Sequence, residues 1–281
     1  MYKIRKKEVL ASNIKLFEIA APDIAKKARA GQFIILRLDE KAERIPLTIA
    51  DYDRKKGTIT IIFQEVGRST YDLGKLEKDE QLLDFVGPLG KESDIDYYGT
   101  VVCIGGGVGV APVYPITRDL HDRGNRVLSI IGARSRENII WEEQMKKVSD
   151  SLYVVTDDGS YGEKGFVTDV LEKIISNENI DMVVAIGPLV MMESVSNMTR
   201  TRGIKTVVSL NSIMLDGTGM CGACRVGVGE EIKFACVDGP EFDGHMVDWE
   251  VAKSRANMFK KEEKIALEAA DCNCLKKGGG C

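Results

Sequence analysis

Histidine is nearly absent from this 281-residue chain. The two copies, His121 and His245, lie far apart with no metal-ligand spacing, so both read as ordinary surface or core residues. An excess of either charge is missing as well. The chain holds 39 basic and 43 acidic residues, a net charge of −4, with no basic field that would make nucleic acid a partner. The short run Arg5-Lys6-Lys7 reads as a solvated strand edge. No apolar signal region opens the chain, so a cytoplasmic protein is expected. The long uncharged stretch from Tyr97 to Thr117 is broken by Gly105-Gly106-Gly107, Gly109, Pro112 and Pro115. Strand–loop–helix is therefore expected there, with no membrane span. No internal repeat is visible.

The remaining composition suits a folded protein of about two domains, since 44% of the residues are hydrophobic, enough for real cores. Residues 1–98 carry short runs that partly alternate, such as Ile14–Ile19, Phe33–Leu38 and Thr58–Phe63, separated by turn signals at Lys56-Gly57 and Gly87-Pro88-Leu89-Gly90. That pattern predicts a small antiparallel β-barrel. From residue 99 to 210 the pattern changes. Continuous apolar runs at Thr100–Ile104, Arg126–Gly132, Leu152–Thr156, Met182–Ile186 and Lys205–Leu210 are mostly spaced by helical segments. Buried strands alternating with helices predict an α/β domain with a doubly wound parallel sheet. Residues 211–248 form a small cysteine-loop region, and 249–281 a charged helix with a frayed tail.

The cysteine loop is the most specific feature. Asp216, Cys221, Cys224 and Cys236 follow one another with four, two and eleven residues between them, on a glycine-rich segment. A tight loop with three ligands and a fourth from a neighbouring segment suits a two-iron two-sulfur cluster. Zinc is the structural alternative, but zinc ribbons have two C-x2-C knuckles and this chain has one. Asp216 stands where a thiolate is usual. It is either the fourth ligand or a bystander, with Cys272, Cys274 or Cys281 as replacements. Cys103 lies in a predicted buried strand and reads as a small hydrophobe.

Three further motifs point to nucleotides. Arg44-Ile45-Pro46-Leu47-Thr48 offers a guanidinium for a phosphate and a hydroxyl for flavin edge atoms. Val66-Gly67-Arg68-Ser69-Thr70 predicts a helix N-terminus that cradles a pyrophosphate; its plainer reading is an ordinary capped helix. Gly105-Gly106-Gly107-Val108-Gly109 follows the first strand of the α/β region, where a dinucleotide docks, although a tight strand-to-helix turn needs glycine too. Asp157-Asp158-Gly159 and Gly187-Pro188 sit at later strand ends and rim the same predicted crevice. Arg134 and Arg136, after the second strand, are either phosphate contacts or solvated surface arginines.

With these motifs in hand, residues 1 to about 245 resemble the ferredoxin-reductase-like iron–sulfur flavoproteins. Within that family the chain is similar to two groups. One is the electron-transfer subunits of NAD-linked dihydroorotate dehydrogenase. The other is the small subunits of NADH-dependent reduced ferredoxin:NADP+ oxidoreductase, a flavin-based bifurcating enzyme. The resemblance implies FAD held by Arg44, Pro46, Leu47, Thr48, Val66, Gly67, Arg68, Ser69 and Thr70. It implies NAD(H) against Gly106, Gly107, Val108, Gly109, Asp157, Asp158, Gly159, Gly187 and Pro188, and a [2Fe-2S] cluster on Asp216, Cys221, Cys224 and Cys236. It also implies a larger flavin and iron–sulfur partner subunit, ferredoxin reached through that complex, and no catalytic acid or base. The dihydroorotate branch carries cysteine at the position of Asp216, which tilts the resemblance toward the bifurcating branch. A redox relay without turnover of its own is the non-enzymatic alternative.

Overall fold

The computed structural model describes the backbone of residues 1–276 and the side chains of residues 1–268. Cys272, Cys274 and Cys281 lie outside the residues whose side chains are described.

The first third is a seven-stranded antiparallel sheet in the order β6-β1-β2-β5-β4-β3-β7. Its elements, in chain order, are β1 (Tyr2–Ala11), β2 (Ile14–Ala20), α1 (Pro22–Lys27), β3 (Phe33–Arg37), β4 (Ile45–Asp53), β5 (Thr58–Gln64), α2 (Arg68–Lys75), β6 (Gln81–Leu82) and β7 (Asp84–Leu89). The edge strands β6 and β7 are consecutive in the chain, and the Leu83 N–H between them donates to the Arg37 carbonyl at 3.1 Å. The sheet therefore curls into a nearly closed barrel, which leaves little free edge. Phe17, Ile19, Ile59, Ile61 and Phe63 fill its lumen, with the Phe17 and Phe63 rings edge-to-face at 5.2 Å.

Alternation along these strands is only partial because their outer faces are covered too. Ile14, Leu16 and Ile62 pack with Val110, Ala111 and Val113 of the next domain. Phe33 and Ile35 pack with Cys224, Val226 and Cys236. A strand buried on both faces has no polar face to show.

The second sheet has the order β11-β10-β9-β8-β12-β13-β16. Its elements are β8 (Thr100–Gly106), α3 (Val110–Asp122), β9 (Arg126–Ala133), α4 (Glu142–Lys147), β10 (Ser151–Thr156), β11 (Glu163–Lys164), α5 (Val167–Asn177), β12 (Met182–Ile186), α6 (Leu189–Arg200) and β13 (Lys205–Ser209). All pair in parallel, as expected. The chain winds outward from β8 through β9 and β10, then returns to the other side of β8 with β12. The carboxyl ends of β8 and β12 thus form the switch point, where such sheets open a crevice.

Residues beyond 210 add a two-stranded ribbon, β14 (Arg225–Val228) and β15 (Glu231–Phe234). They also add β16 (Glu241–Asp243), which pairs antiparallel with β13 and extends the parallel sheet. Two helices follow, α7 (Trp249–Ala256) and α8 (Lys260–Lys276), where the sequence predicts one charged helix ending in a frayed tail. The break has a local cause. Asn257 and Met258 donate to the carbonyls of Ser254 and Arg255, an i→i+3 tightening that ends α7.

Candidate functional site

Two motifs twenty residues apart in sequence meet at the barrel mouth. Gly67 caps α2, and the Thr70 hydroxyl accepts the N–H groups of Val66 at 3.0 Å and Gly67 at 3.1 Å. That bonding occupies Thr70 with its own loop, as the plainer capping role requires. Ser69 differs, because its hydroxyl donates to the Glu43 carboxylate at 2.5 Å. Glu43 precedes the exposed Arg44, so the pair lays the Arg44 segment against the start of α2. An anionic group thus already sits on the cradle hydroxyl beside a helix N-terminus, as a phosphate oxygen would. The cradle fits a pyrophosphate. Pro46, Leu47 and Thr48 continue into β4, half-buried, opposite Ile35, Ile34 and Phe33 of β3.

The glycine turn at the switch point is sorted by what each residue touches. A side chain on Gly109 would strike the Ile186 carbonyl at 2.2 Å, and one on Gly106 the Met191 sulfur at 2.5 Å. These glycines serve close packing of the turn after β8 against β12 and α6. Gly107 has φ +56° and nothing within 4 Å of its missing side chain, so it faces open space. Of the turn, Gly107 therefore best fits close approach by a ligand. Gly187 and Pro188 border the same turn, and a side chain on Gly187 would meet Gly106.

Asp157 and Asp158 lie two strands away, after β10, and their backbones are stitched to the segment after β9. The Asp157 N–H donates to the Ala133 carbonyl at 3.0 Å and the Asp158 N–H to the Arg134 carbonyl at 3.2 Å. The Asp158 carboxylate accepts the Ser160 N–H at 2.9 Å, and Ser160 holds it below the usual carboxylate range. Around this loop is a contact set that sequence reasoning missed. The Arg136 guanidinium lies over the Tyr161 ring at 5.1 Å, and the Tyr161 hydroxyl donates to Glu142 at 3.0 Å. Only spatial adjacency reveals it, since Glu142 opens α4.

In the cysteine loop, Cys224 and Cys236 are buried and their sulfurs lie 3.2 Å apart. Two thiolates on one tetrahedral metal with bonds of ~2.3 Å stand about 3.8 Å apart, so these two need only a small outward turn to share an iron. Burial, then the neighbouring Cys224, pushes the Cys236 thiol up. Cys221 is exposed, next to Met220, which is 89% exposed. The Asp216 carboxylate accepts the Thr218 N–H at 2.6 Å and the Cys221 N–H at 2.8 Å. The Thr218 N–H, followed by Cys221, holds it below the ordinary carboxylate range. Among the described residues, no group of three or more His, Cys, Asp or Glu stands in metal-holding geometry. The donor set nonetheless fits iron. It pairs three thiols with an ionised carboxylate that keeps lone pairs free, on a loop turned by Gly217, Gly219 and Gly222 at positive φ.

Gly217 sets where this loop rests. It has φ +78°, and a side chain there would strike Ile35 at 2.6 Å and Leu89 at 2.9 Å. The loop therefore lies flat on the barrel. Ile35 is the cross-strand partner of Pro46, so one strand separates the cysteine loop from the Arg44–Thr48 segment. Cys103, by contrast, is fully buried in β8, and burial raises its thiol to about 12. It packs as the small hydrophobe expected.

Comparison with known proteins matches this arrangement. Residues 211–248 match the family model for the iron–sulfur cluster binding domain of dihydroorotate dehydrogenase B, and residues 103–197 that of an oxidoreductase NAD-binding domain. An uncharacterized protein of the adh 3′ region of Clostridium beijerinckii is 49% identical across 100% of this chain and 99% of its own length. A Thermotoga maritima homolog of the dihydroorotate dehydrogenase B (NAD(+)) electron transfer subunit is 46% identical, covering 95% of this chain and 94% of that protein. Among solved structures, a chain of the NADH-dependent reduced ferredoxin-NADP oxidoreductase, studied for flavin-based electron bifurcation, superposes with a TM-score of 0.91. It is 44% identical, over 96% of this chain and 97% of its own.

Proposed function

The chain belongs to the family of dihydroorotate dehydrogenase B electron-transfer subunits and their homologues, and from that premise we propose that it is the small subunit of an electron-bifurcating NADH-dependent ferredoxin:NADP+ oxidoreductase. It is an oxidoreductase-family protein whose cofactors are FAD, NAD(H) and a [2Fe-2S] cluster. The observation that carries the reading is the contact of Gly217 with Ile35, the partner of Pro46, which puts the cluster loop one strand from the flavin segment.

The roles we assign follow the family resemblance, supported at Gly107 by the open space beside it. Arg44, Pro46, Leu47 and Thr48, with Val66, Gly67, Arg68, Ser69 and Thr70, hold FAD. Gly106, Gly107, Val108 and Gly109, with Asp157, Asp158, Gly159, Gly187 and Pro188, line the NAD(H) crevice. Asp216, Cys221, Cys224 and Cys236 hold the cluster. Held there, FAD would supply the conversion of hydride transfer into single-electron steps, and the cluster would carry those electrons. The chain's own residues do the positioning. The Gly107 turn admits the dinucleotide to the crevice beside the barrel, the buried outer face of β3 keeps water from between barrel and cluster loop, and no side chain need move a proton. We divide the chain accordingly into FAD-binding (1–98), NAD(H)-binding (99–210) and cluster-binding (211–248) regions with a C-terminal extension (249–281).

The partner in this reading is a larger flavin and iron–sulfur subunit. Oxidising two NADPH, that partner would pass two electrons singly to ferredoxin and two singly to this chain, and those two together would reduce one NAD+. The exposed Met220 and Cys221 make the cluster loop the face for that subunit. Among the described residues no helix is long and apolar enough to cross a membrane, and we place the complex in the cytoplasm. A second reading, the electron-transfer subunit of a dihydroorotate dehydrogenase, is favoured by relatives of that description at 30–33% identity. Purification from the native cell decides between them. A co-purifying large flavoprotein with ferredoxin- and NADP-dependent turnover supports bifurcation; a co-purifying dihydroorotate-oxidising subunit overturns it.

A further inference from the structure

The helix α7 reaches back to the cysteine loop. The Arg255 guanidinium donates to the carbonyl of Ala223 at 2.6 Å. Ala223 lies inside the Cys221–Cys224 knuckle, directly before the buried Cys224. The helix that carries Arg255 is pinned along its length. Asp248 caps it by accepting the Val251 N–H, and the Asp248 N–H donates to Gly227 of β14 at 2.9 Å. Trp249 is buried in the same apolar cluster as Cys224 and Cys236, and its indole N–H donates to the Gly244 carbonyl at 3.2 Å. Lys253 ties α7 to Glu193 of α6 at 3.2 Å and also holds Glu250. Glu193 and Glu250 are thus engaged by Lys253 and Asp248 by the helix N-terminus, and the Arg255 guanidinium is directed at the knuckle. Arg225, the residue after Cys224, lines the same small cavity of about 20 Å³ as Arg255.

We propose that Arg255 is a positioning residue of the cluster. It fixes the knuckle through the Ala223 carbonyl and sets a positive charge beside the cluster that raises its reduction potential. Two ferric irons, two sulfides, three thiolates and a carboxylate sum to a dianion, and one-electron reduction adds a further negative charge. A fixed cation favours the more negative state, and in a partly buried setting solvent screens it only in part. The bond to the carbonyl adds geometry, because the planar guanidinium holds its acceptor in a fixed direction. The inference rests on the cluster reading above and goes beyond it, since none of the four proposed ligands is involved.

The test is a mediated potentiometric titration of the full chain in its complex, read by the cluster's electron paramagnetic resonance signal. Arg255→Gln keeps a donor but removes the charge; Arg255→Lys keeps the charge. The expected result is a lower midpoint potential in the glutamine variant, roughly tenfold in the reduction equilibrium or about 59 mV for a one-electron couple, with the lysine variant near wild type. Loss of the cluster in the glutamine variant alone, rescued by lysine, supports the same assignment. Lys261→Gln, exposed on α8, should leave the potential unchanged. An unchanged potential in Arg255→Gln overturns the proposal, and so does loss of the cluster from the lysine variant. A wild-type protein without any two-iron signal would instead sink the cluster reading itself.

Discussion

Arg118 of α3 donates to Asp51 of β4 at 2.6 Å, and the pair ties the strand that follows Thr48 to the helix that follows Gly109. Arg118 also holds Asp119 at 3.1 Å and lies over the Tyr52 ring at 5.1 Å. Burial works against its charge, but the hydrogen bond and charge of Asp51, with those of Asp119, raise its pKa overall. The Arg44–Thr48 segment and the Gly105–Gly109 turn, the proposed flavin and dinucleotide sites, are thereby joined through one ion pair between β4 and α3. Arg118→Met should cost on the order of 1 kcal/mol, lowering Tm by roughly 2–4 °C. It should also slow flavin reduction by NADH in stopped-flow absorbance, because the two half-sites lose their fixed spacing. A variant with reduced Tm and an unaltered reduction rate would confine the pair to stability.

The Glu43–Ser69 bond places an anion on the proposed flavin cradle. Arg44→Ala removes a charge-assisted contact worth about 2 kcal/mol, so FAD should bind roughly thirtyfold more weakly. Glu43→Gln removes the anion that occupies the Ser69 hydroxyl and should strengthen FAD binding. Fluorescence titration of deflavinated protein reads both. Tighter binding in the alanine variant would show that the pyrophosphate lies elsewhere.

Glu241 brings a pH dependence. It lies at the junction of barrel and sheet, where the Ser93 hydroxyl donates to its carboxylate at 2.6 Å. Burial pushes its pKa up to about 7 from an ordinary 4.5, against the Ser93 bond and with Asp94 adding to the rise. The fold therefore prefers the protonated acid. Its contribution to stability is full below about pH 4.5, falls as pH rises toward about 7, and is flat above that. Glu241→Gln mimics the neutral form. It should raise Tm at pH 8, with the gain shrinking toward pH 5 in a calorimetric series. A gain independent of pH would show that the carboxylate does not titrate in this window.

Asp216 is the residue whose two readings separate most cleanly. It orders the loop through Thr218 and Cys221, and it is the proposed fourth ligand. Asp216→Asn keeps an acceptor for those N–H groups and removes the anionic ligand. If Asp216 binds iron, the asparagine variant should have a higher potential and a shorter-lived cluster, and Asp216→Cys a lower potential. Equal spectra, potential and lifetime in the asparagine variant would leave Asp216 as a turn residue only.

The barrel, the parallel sheet and the motif loops were legible because each depends on local pattern. Continuous apolar runs gave β8, β9, β10, β12 and β13 but not the two-residue β11, and Gly67 gave the start of α2. What escaped is contact between segments distant in sequence. Arg118 and Asp51, Ser93 and Glu241, and Arg255 and Ala223 are unremarkable residues until the fold joins them. The strand β16 escaped for the same reason, since three residues with no apolar run of their own gain their partner only from β13. In the glycine turn, sequence could not tell packing glycines from the one facing open space, because both leave the same letter.

In the proposed function this chain passes electrons between NAD(H), a flavin and a two-iron cluster held one strand apart. Anaerobic addition of NADH to the purified chain, followed by visible absorbance and low-temperature electron paramagnetic resonance, tests it most directly. Bleaching of bound FAD together with a signal from a reduced [2Fe-2S] cluster is the expected result. A chain that holds zinc and no acid-labile sulfide, or whose flavin stays oxidised under excess NADH, would contradict it.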